Sequence, residues 1–417
     1  MTTADVLIVG ASAGGLAVAE GLRRRGFTGS IALVGAEREL PYDRPPLSKQ
    51  VLDGRWSPDR TRLRGRAELD ELELDLLLGR PALSLDVAGH RVGLRGGGEL
   101  GYRKLVVATG LSARRLPGQT GLSGVHTLRT LEEAAKLRAD LLAARRVVVV
   151  GAGVLGCEIA ATARGLGREV TVLDPAAHPM EHLLGPEIGG ALGRLHRDHG
   201  VSVRTSTPVR GLIQEQGRVV GVRTGAGSSV PADVVVVAVG GRPATDWLAG
   251  SGLGLDDGVV CDHRCRAAAD VYAVGDVARF GAQGSAGRGT RLENRTNATE
   301  QGVFVAGDIL GADAHYRPVP YFWSDQYQVR LQVYGTVPGH SSVRIVEGSP
   351  GGGAFVAHVE SGGRLVGVIG WNSARRTRTA KALLTAAARS DEPAVGAPSA
   401  LSHHTSPAEL PTEGDLL

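Results

Sequence analysis

Cysteine is nearly absent from this chain, and its scarcity excludes a disulfide framework. Cys157, Cys261 and Cys265 are the whole supply in 417 residues. Lysine is also rare, standing only at positions 49, 104, 136 and 381, so nearly all positive charge is arginine. The aromatics are few, 4 Trp, 7 Tyr and 5 Phe, and they are not interleaved with the basic clusters, which argues against nucleic-acid binding. No apolar run reaches the roughly 18 residues a membrane helix needs. A strand pattern from Ala4 to Val9 begins where a signal peptide would lie. The expectation is a cytoplasmic protein that touches neither membrane nor nucleic acid. Basic residues number 47 against 43 acidic, and a net charge of +4 over this length names no partner.

What the chain has in excess is glycine, 61 residues without any G-X-Y period, so a collagen-like fibre is excluded. A hydrophobic content of 42% with 22% charged residues excludes a disordered chain. At about 150 residues per domain the length predicts two or three domains.

An internal near-repeat organises the chain. Residues 4–37 read ADVLIVGASAGGLAVAEGLRRRGFTGSIALVGAE, and residues 145–176 read RRVVVVGAGVLGCEIAATARGLGREVTVLDPA. Each is a short apolar β-branched run, a glycine-rich turn, an Ala/Leu helix pattern and another apolar strand. Apolar runs this continuous belong to strands buried on both faces of a parallel sheet, so each copy is a βαβ unit with a right-handed crossover. Three further strands end in small residues: YRKLVVATG (102–110), ADVVVVAVGGRP (232–243, including Gly240) and ADVYAVGDVARF (269–280). Backbone there is expected to pass close to something bound. Beyond an aromatic cluster at 316–334, alternating segments at 343–346, 354–359 and 365–369 predict antiparallel strands, followed by a helix over roughly 374–389.

The second repeat carries the sharper motif. Gly151, Gly153 and Gly156 fit G-x-G-x-x-G between a strand and a helix. The first glycine makes the tight turn, the second lets backbone approach a pyrophosphate and the third permits close helix–strand packing. Asp174 ends the next strand, 23 residues after Gly151, where a carboxylate holds an adenosine ribose and repels a 2′-phosphate; this favours NADH over NADPH. The first repeat departs from the pattern. Gly10, Gly14 and Gly15 are present, but Ser12 replaces the central glycine, and Glu37 is the matching ribose carboxylate.

Five ordered motifs then carry a resemblance: PYDRPPLSK (41–49), the second glycine turn with Glu158, AVGDVARF (273–280), LENRTNATEQG (292–302) and YFWSDQY (321–327). The series resembles the FAD-dependent NADH:ferredoxin reductases of the putidaredoxin-reductase type, in the pyridine nucleotide-disulfide oxidoreductase superfamily. The fold this implies is α/β, with two Rossmann-like nucleotide-binding domains, for FAD and NAD, and a C-terminal α/β interface domain. The boundaries expected are 1–112 and 240–317 for the FAD domain, 113–239 for the NAD domain, 318–390 for the interface domain and 391–417 for a disordered tail.

The resemblance implies that FAD lies along Gly10, Ser12, Gly14 and Gly15, with Ala36 and Glu37 beside the adenosine. Arg44, Lys49, Ala82 and Arg129 would line the flavin site. Asp276 would accept a ribityl hydroxyl at a helix N-terminus, and residues 292–297, including Glu293 and Arg295, with Trp323 would close the ring end. Lys49 and Glu158 would pair near flavin N5 where nicotinamide stacks; a helix-terminal carboxylate favoured by the dipole is the alternative for Glu158. Arg295 departs from the family, which has an apolar or small residue there. It either stabilises reduced flavin or points to solvent.

Disulfide reductases of the superfamily carry a redox cysteine pair, and residues 38–60 have none. Electrons must then leave the flavin directly, which suits an acceptor docking at the flavin edge and taking one electron at a time. The resemblance implies that this acceptor is a [2Fe–2S] ferredoxin and, beyond it, that a cytochrome P450 or Rieske oxygenase is served. The activity expected is that of a ferredoxin–NAD(+) reductase, as monomer or homodimer. The other readings are an FAD-dependent NADH oxidase or pathway-specific flavoenzyme, and a nucleotide-sensing protein like the apoptosis-inducing flavoproteins. Arg60, Arg62, Arg64 and Arg66 form a candidate ferredoxin-docking cluster. His178/His182 and His196/His199 lack metal-site order, and the latter two read as a solvated helix face. No Lys or Arg follows Arg389, whereas Asp391, Glu392, Glu409, Glu413 and Asp415 do. Setting those five acids aside leaves 47 basic against 38 acidic residues, a +9 body that would steer an acidic partner.

Overall fold

The computed structural model describes residues 2–225, 227–281 and 289–389; the tail expected beyond residue 390 lies outside them. Both repeats form the predicted βαβ units. In the first, the strand Thr2–Val9 runs parallel between Ile31–Val34 and Glu99–Val107, with Val9 opposite Val34 and Val107. Valine, leucine and isoleucine fill this strand because its last four residues are buried. The sheet continues to Leu74–Leu77 on one edge. Its other side is supplied from far along the chain, by Val271–Ala273, which pairs parallel with Glu99–Val107, and by Arg266–Ala268, which pairs antiparallel with Val271–Ala273 and forms the edge.

The second unit is threaded between those two visits. Its five parallel strands run Ser202–Arg204, Glu169–Leu173, Arg146–Val150, Val234–Val237 and Val125–His126. The helix Leu131–Ala143 begins on a capping box, in which Thr130 accepts from the Glu133 N–H and Glu133 reaches back to the Thr130 N–H. Where the chain passes from one unit to the other and returns, Leu111–Ala113 pairs antiparallel with Gly241–Pro243. Two strands therefore cross together and set the relative placement of the units.

The C-terminal unit is a five-stranded antiparallel sheet, ordered Tyr321–Gln326, Val329–Gly335, Arg364–Trp371, Ala354–Ser361 and Ser342–Ser349, with the helix Ala374–Arg389 packed on it. Its apolar face shares one core with the second unit: Leu331, Val333 and Phe355 join Val147, Ile159 and Ile188. Tyr42, Leu47 and Leu52 of the first unit enter the same core, which pins the segment carrying Lys49 against the second unit. Among the described residues no helix is long and apolar enough to cross a membrane.

Candidate functional site

The two glycine turns are built alike. Gly10 and Gly151 take φ of +125° and +104°, a region that L side chains rarely adopt. A Cβ on either would lie 2.1 or 2.3 Å from a carbonyl oxygen, of Ala108 and Ala238 respectively. It is the backbone of the neighbouring strand's end, passing this close, that requires glycine at both turns. Gly15 and Gly156 pack on the turn, since a Cβ on them would sit 2.0 and 1.9 Å from the carbonyls of Gly10 and Gly151. The helices that follow, Ala13–Arg24 and Val154–Gly165, have no side-chain cap, so their leading N–H groups are free to meet an anion.

Both turns open on one cavity of about 1340 Å³, larger than the roughly 300–1,000 Å³ of an ordinary ligand pocket. Gly10, Ser12, Gly14, Ala36, Glu37, Arg44, Lys49, Ala82 and Arg129 line it from the first unit, with Asp276, Glu293 and Arg295. Gly153, Glu158 and Gly240 line it from the second, and Trp323 from the C-terminal sheet. Gly15, Gly151 and Gly156 stand behind the wall. So does Asp174, whose oxygens accept from the N–H of Ala152 at 2.5 Å and of Ala176 at 2.7 Å, bracing the second turn from the strand end. The turns, their uncapped helices and the span of the cavity fit two dinucleotides.

At the junction Lys49 Nζ donates to Glu158 Oε2 across 2.7 Å, from loop to helix, with both residues buried. Burying two charges is expensive unless each is paired and hydrogen-bonded. Ser48 Oγ also donates to Oε2 at 2.5 Å, and Ser324 Oγ to Oε1 at 2.8 Å. Tyr321, stacked between Trp323 and Tyr334 at centroid distances of 5.9 and 4.4 Å, forms the aromatic wall beside them.

Several expected roles meet a more crowded geometry. Both oxygens of Glu37 are engaged, one by the Tyr42 hydroxyl and one by Arg44 at 2.7 Å. Burial pushes the Tyr42 phenol up, so it remains a donor. Asp276 lies in a three-residue 3₁₀ turn, not at an α-helix N-terminus, and pairs with Arg129 at 3.1 Å. Burial pulls the Arg129 guanidinium down, with Arg44 adding to it and Asp276 opposing. Glu293 is held by Arg291. Arg295 lines the cavity, begins the helix Arg295–Ile309 and donates to Asp43 and Thr299, so it is engaged by protein partners and not simply turned to solvent. A cation at a helix N-terminus opposes the dipole, and the Asp43 carboxylate offsets it.

The arginine cluster is largely paired off. Arg60 lies over the Trp56 ring, and Arg62, Arg64 and Arg66 meet Asp59, Glu20 and Asp70. All three cysteines are buried, and burial pushes the Cys265 thiol up to about 12. No cysteine is among the residues lining the cavity.

The reading of His196 as solvated is wrong. It is 1% exposed, donates from Nε2 to Gln326 Oε1 at 2.8 Å, and burial lowers its pKa to about 4. Gln326, Ser324 and Ser48 were likewise missed. Their signal is polar side chains at buried alternate positions of one strand, 324 and 326, and a histidine four residues after Leu192 on a buried helix face.

A profile of pyridine nucleotide-disulphide oxidoreductases matches residues 4–315, and one of a reductase C-terminal domain matches 321–401. Rhodocoxin reductase of Rhodococcus erythropolis is 37% identical over 382 residues, covering 91% of this chain and 89% of that protein. The ferredoxin–NAD(+) reductase component of the anthranilate 1,2-dioxygenase system of Burkholderia cepacia is 37% identical over 404 residues, covering 95% and 99%. Among solved structures, the covalent putidaredoxin reductase–putidaredoxin complex matches with a TM-score of 0.87 at 33% identity, covering 93% of this chain and 94% of that one.

Proposed function

Because the chain belongs to the pyridine nucleotide-disulphide oxidoreductase family, we propose that it is an NADH-dependent ferredoxin reductase serving a cytochrome P450 or Rieske oxygenase. One observation carries the reading: two dinucleotide turns open on a single cavity, a Lys49–Glu158 pair stands between them, and no thiol lines the cavity. The chemistry that FAD supplies when bound is the conversion of a hydride from NADH into two single-electron transfers to a [2Fe–2S] ferredoxin.

The chain's own residues bind, orient and exclude water. The uncapped N–H groups after Ser12 and Gly153 would hold the two pyrophosphates. Asp174 braces the second turn from behind the cavity wall, and its negative charge there would disfavour a nearby 2′-phosphate, which favours NADH. Trp323 and Tyr321 close the apolar end, and Lys49, steadied by Glu158, presents a proton donor at the cavity wall. Under this reading residues 1–112 and 240–317 bind FAD, 113–239 bind NADH and 318–390 form the interface, a division supported by the return of Val271–Ala273 to the first sheet. Three buried free cysteines suit a reducing cytoplasm.

The purified protein should be yellow, reduce ferricyanide with NADH far better than with NADPH, and pass electrons to cytochrome c only when a ferredoxin is added. A colourless protein, or a preference for NADPH, would refute the assignment.

A further inference from the structure

Glu158 is where three parts of the chain meet, and it is also the inner end of a long hydrogen-bonded train. Tyr327 O–H donates to His196 Nδ1 at 3.1 Å. His196 Nε2–H donates to Gln326 Oε1 at 2.8 Å, Gln326 Nε2–H to Ser324 Oγ at 3.0 Å, and Ser324 O–H to Glu158 Oε1 at 2.8 Å. The imidazole tautomer and the amide orientation follow from these partners, because an amide oxygen can only accept and the Gln326 nitrogen faces two acceptors, Ser324 Oγ and Met180 Sδ. Every donor therefore points the same way, toward the carboxylate.

Such a train is more than a satisfied core. Dipoles aligned in a dry interior reinforce one another, and here they all end on an anion. His196, Gln326, Ser324 and Glu158 are all buried, so water offers little replacement if a link is cut. The outer end is fixed as well: the Tyr327 ring stacks on His199 with centroids 3.8 Å apart, clamping the strand turn to the helix Glu181–Asp198. The amide of Gln326 orients its neighbours but cannot relay a proton without tautomerising, so the train's work is placement. What it places is the carboxylate whose other oxygen receives Lys49 Nζ at 2.7 Å, at the wall of the cavity.

We infer that Ser324, Gln326 and His196 are positioning residues for hydride transfer: by fixing the Glu158 carboxylate they hold the Lys49 ammonium in place, so the seating of the C-terminal unit on the second unit sets the competence of the site. This rests on the proposed placement of Lys49 at the cofactor.

The test is anaerobic stopped-flow reduction of the flavin-loaded enzyme by NADH, comparing the parent with Ser324→Ala, Ser324→Thr, Gln326→Leu, His196→Leu and His196→Gln. Ser324→Ala, Gln326→Leu and His196→Leu should lower the limiting rate by roughly three- to tenfold while leaving the NADH concentration at half-saturation unchanged. Ser324→Thr, which keeps the hydroxyl, and His196→Gln, whose amide nitrogen reaches the Nε2 position, should restore most of it. Adding Ser324→Ala to Lys49→Ala should slow the reaction no further than Lys49→Ala alone. Multiplying effects, or Ser324→Ala at the parent rate while Lys49→Ala is slow, would overturn the inference and leave the function standing. Lys49→Ala at the parent rate would remove Lys49 from the site and take the inference with it. If a leucine variant loses its flavin, the Ser324 pair and the double variant still decide.

Discussion

In the first glycine turn Ser12 stands where the second has Gly153, and the surroundings of the two positions show what a central glycine is for. Ser12 has φ −127° and Gly153 φ −73°, both open to any residue, and nothing lies within 4 Å of a Cβ built on Gly153. The outer glycines differ, because each meets its own chain: Gly10 and Gly151 through φ, Gly15 and Gly156 through a carbonyl oxygen about 2 Å from where a Cβ would sit. Two requirements are superimposed in one motif. The first and third glycines serve the fold, and the central one serves the ligand.

The largest expected effect comes from breaking the fold requirement in each turn separately. Gly156→Ala and Gly15→Ala force a backbone shift, at a cost of about 1–3 kcal/mol or more. Gly15→Ala should yield colourless protein. Gly156→Ala should remain yellow yet fail to be reduced by NADH, as read from flavin absorbance per chain and bleaching on NADH addition. If both lost flavin, the turns would not be independent in the way their separate sheets imply.

A smaller effect separates the two units by acidity. The second unit encloses His196, whereas among the described residues of the first, His90 is half-exposed against Tyr102. Burial is the main cause that lowers His196 to about 4, with His199 and Arg197 adding to it and the Gln326 hydrogen bond opposing. The unfolded chain, with histidine near 6.5, binds the proton more readily, so this contribution is full above about pH 6.5 and is lost as pH falls toward 4. At about 1.4 kcal/mol per pH unit it amounts to no more than about 3.5 kcal/mol. Denaturant unfolding between pH 7 and 5 should therefore lose stability faster in the parent than in His196→Gln. Parallel curves would show that His196 does not titrate on unfolding.

The same contrast explains what could be read from the sequence. The two βαβ units were legible because their signals are local: continuous apolar runs, a glycine turn and a helix pattern within some 30 residues. The last three C-terminal strands and the helix to Arg389 were legible by period, whereas Tyr321–Gln326 and Val329–Gly335 lay in a segment that stood out only as an aromatic cluster. Lys49 and Glu158, 109 positions apart, were joined only through the family resemblance. Arg295 and Asp43 are 252 positions apart, and no local pattern announces that pair. His196 was misread because Arg194, Arg197 and Asp198 flank it with charge; its alignment with Ile188 and Leu192 on the buried face was the truer signal. Buried polar trains are assembled by tertiary contact, and their members look like surface residues until the partner strand is in place.

The smallest effects test the ligand requirement by exchanging the central residues. Gly153→Ser places a hydroxymethyl group in open cavity without straining the backbone, so the melting temperature and flavin content should match the parent. If the pyrophosphate of NADH passes that point, its approach is hindered, and KM should rise by roughly five- to thirtyfold, or about 1–2 kcal/mol, with kcat little changed. Ser12→Gly should alter flavin retention far less: Ser12 makes no capping hydrogen bond, and replacing a cap serine by glycine costs only a few tenths of a kcal/mol. Any tightening on loss of the hydroxymethyl would show as slower flavin release in dilute denaturant. A fall in melting temperature for Gly153→Ser comparable to that of Gly156→Ala would mean that the central glycine is also structural. The contrast between the two turns would then lie in their packing, and Ser12 would be tolerated because the first turn is looser, not because its ligand passes differently.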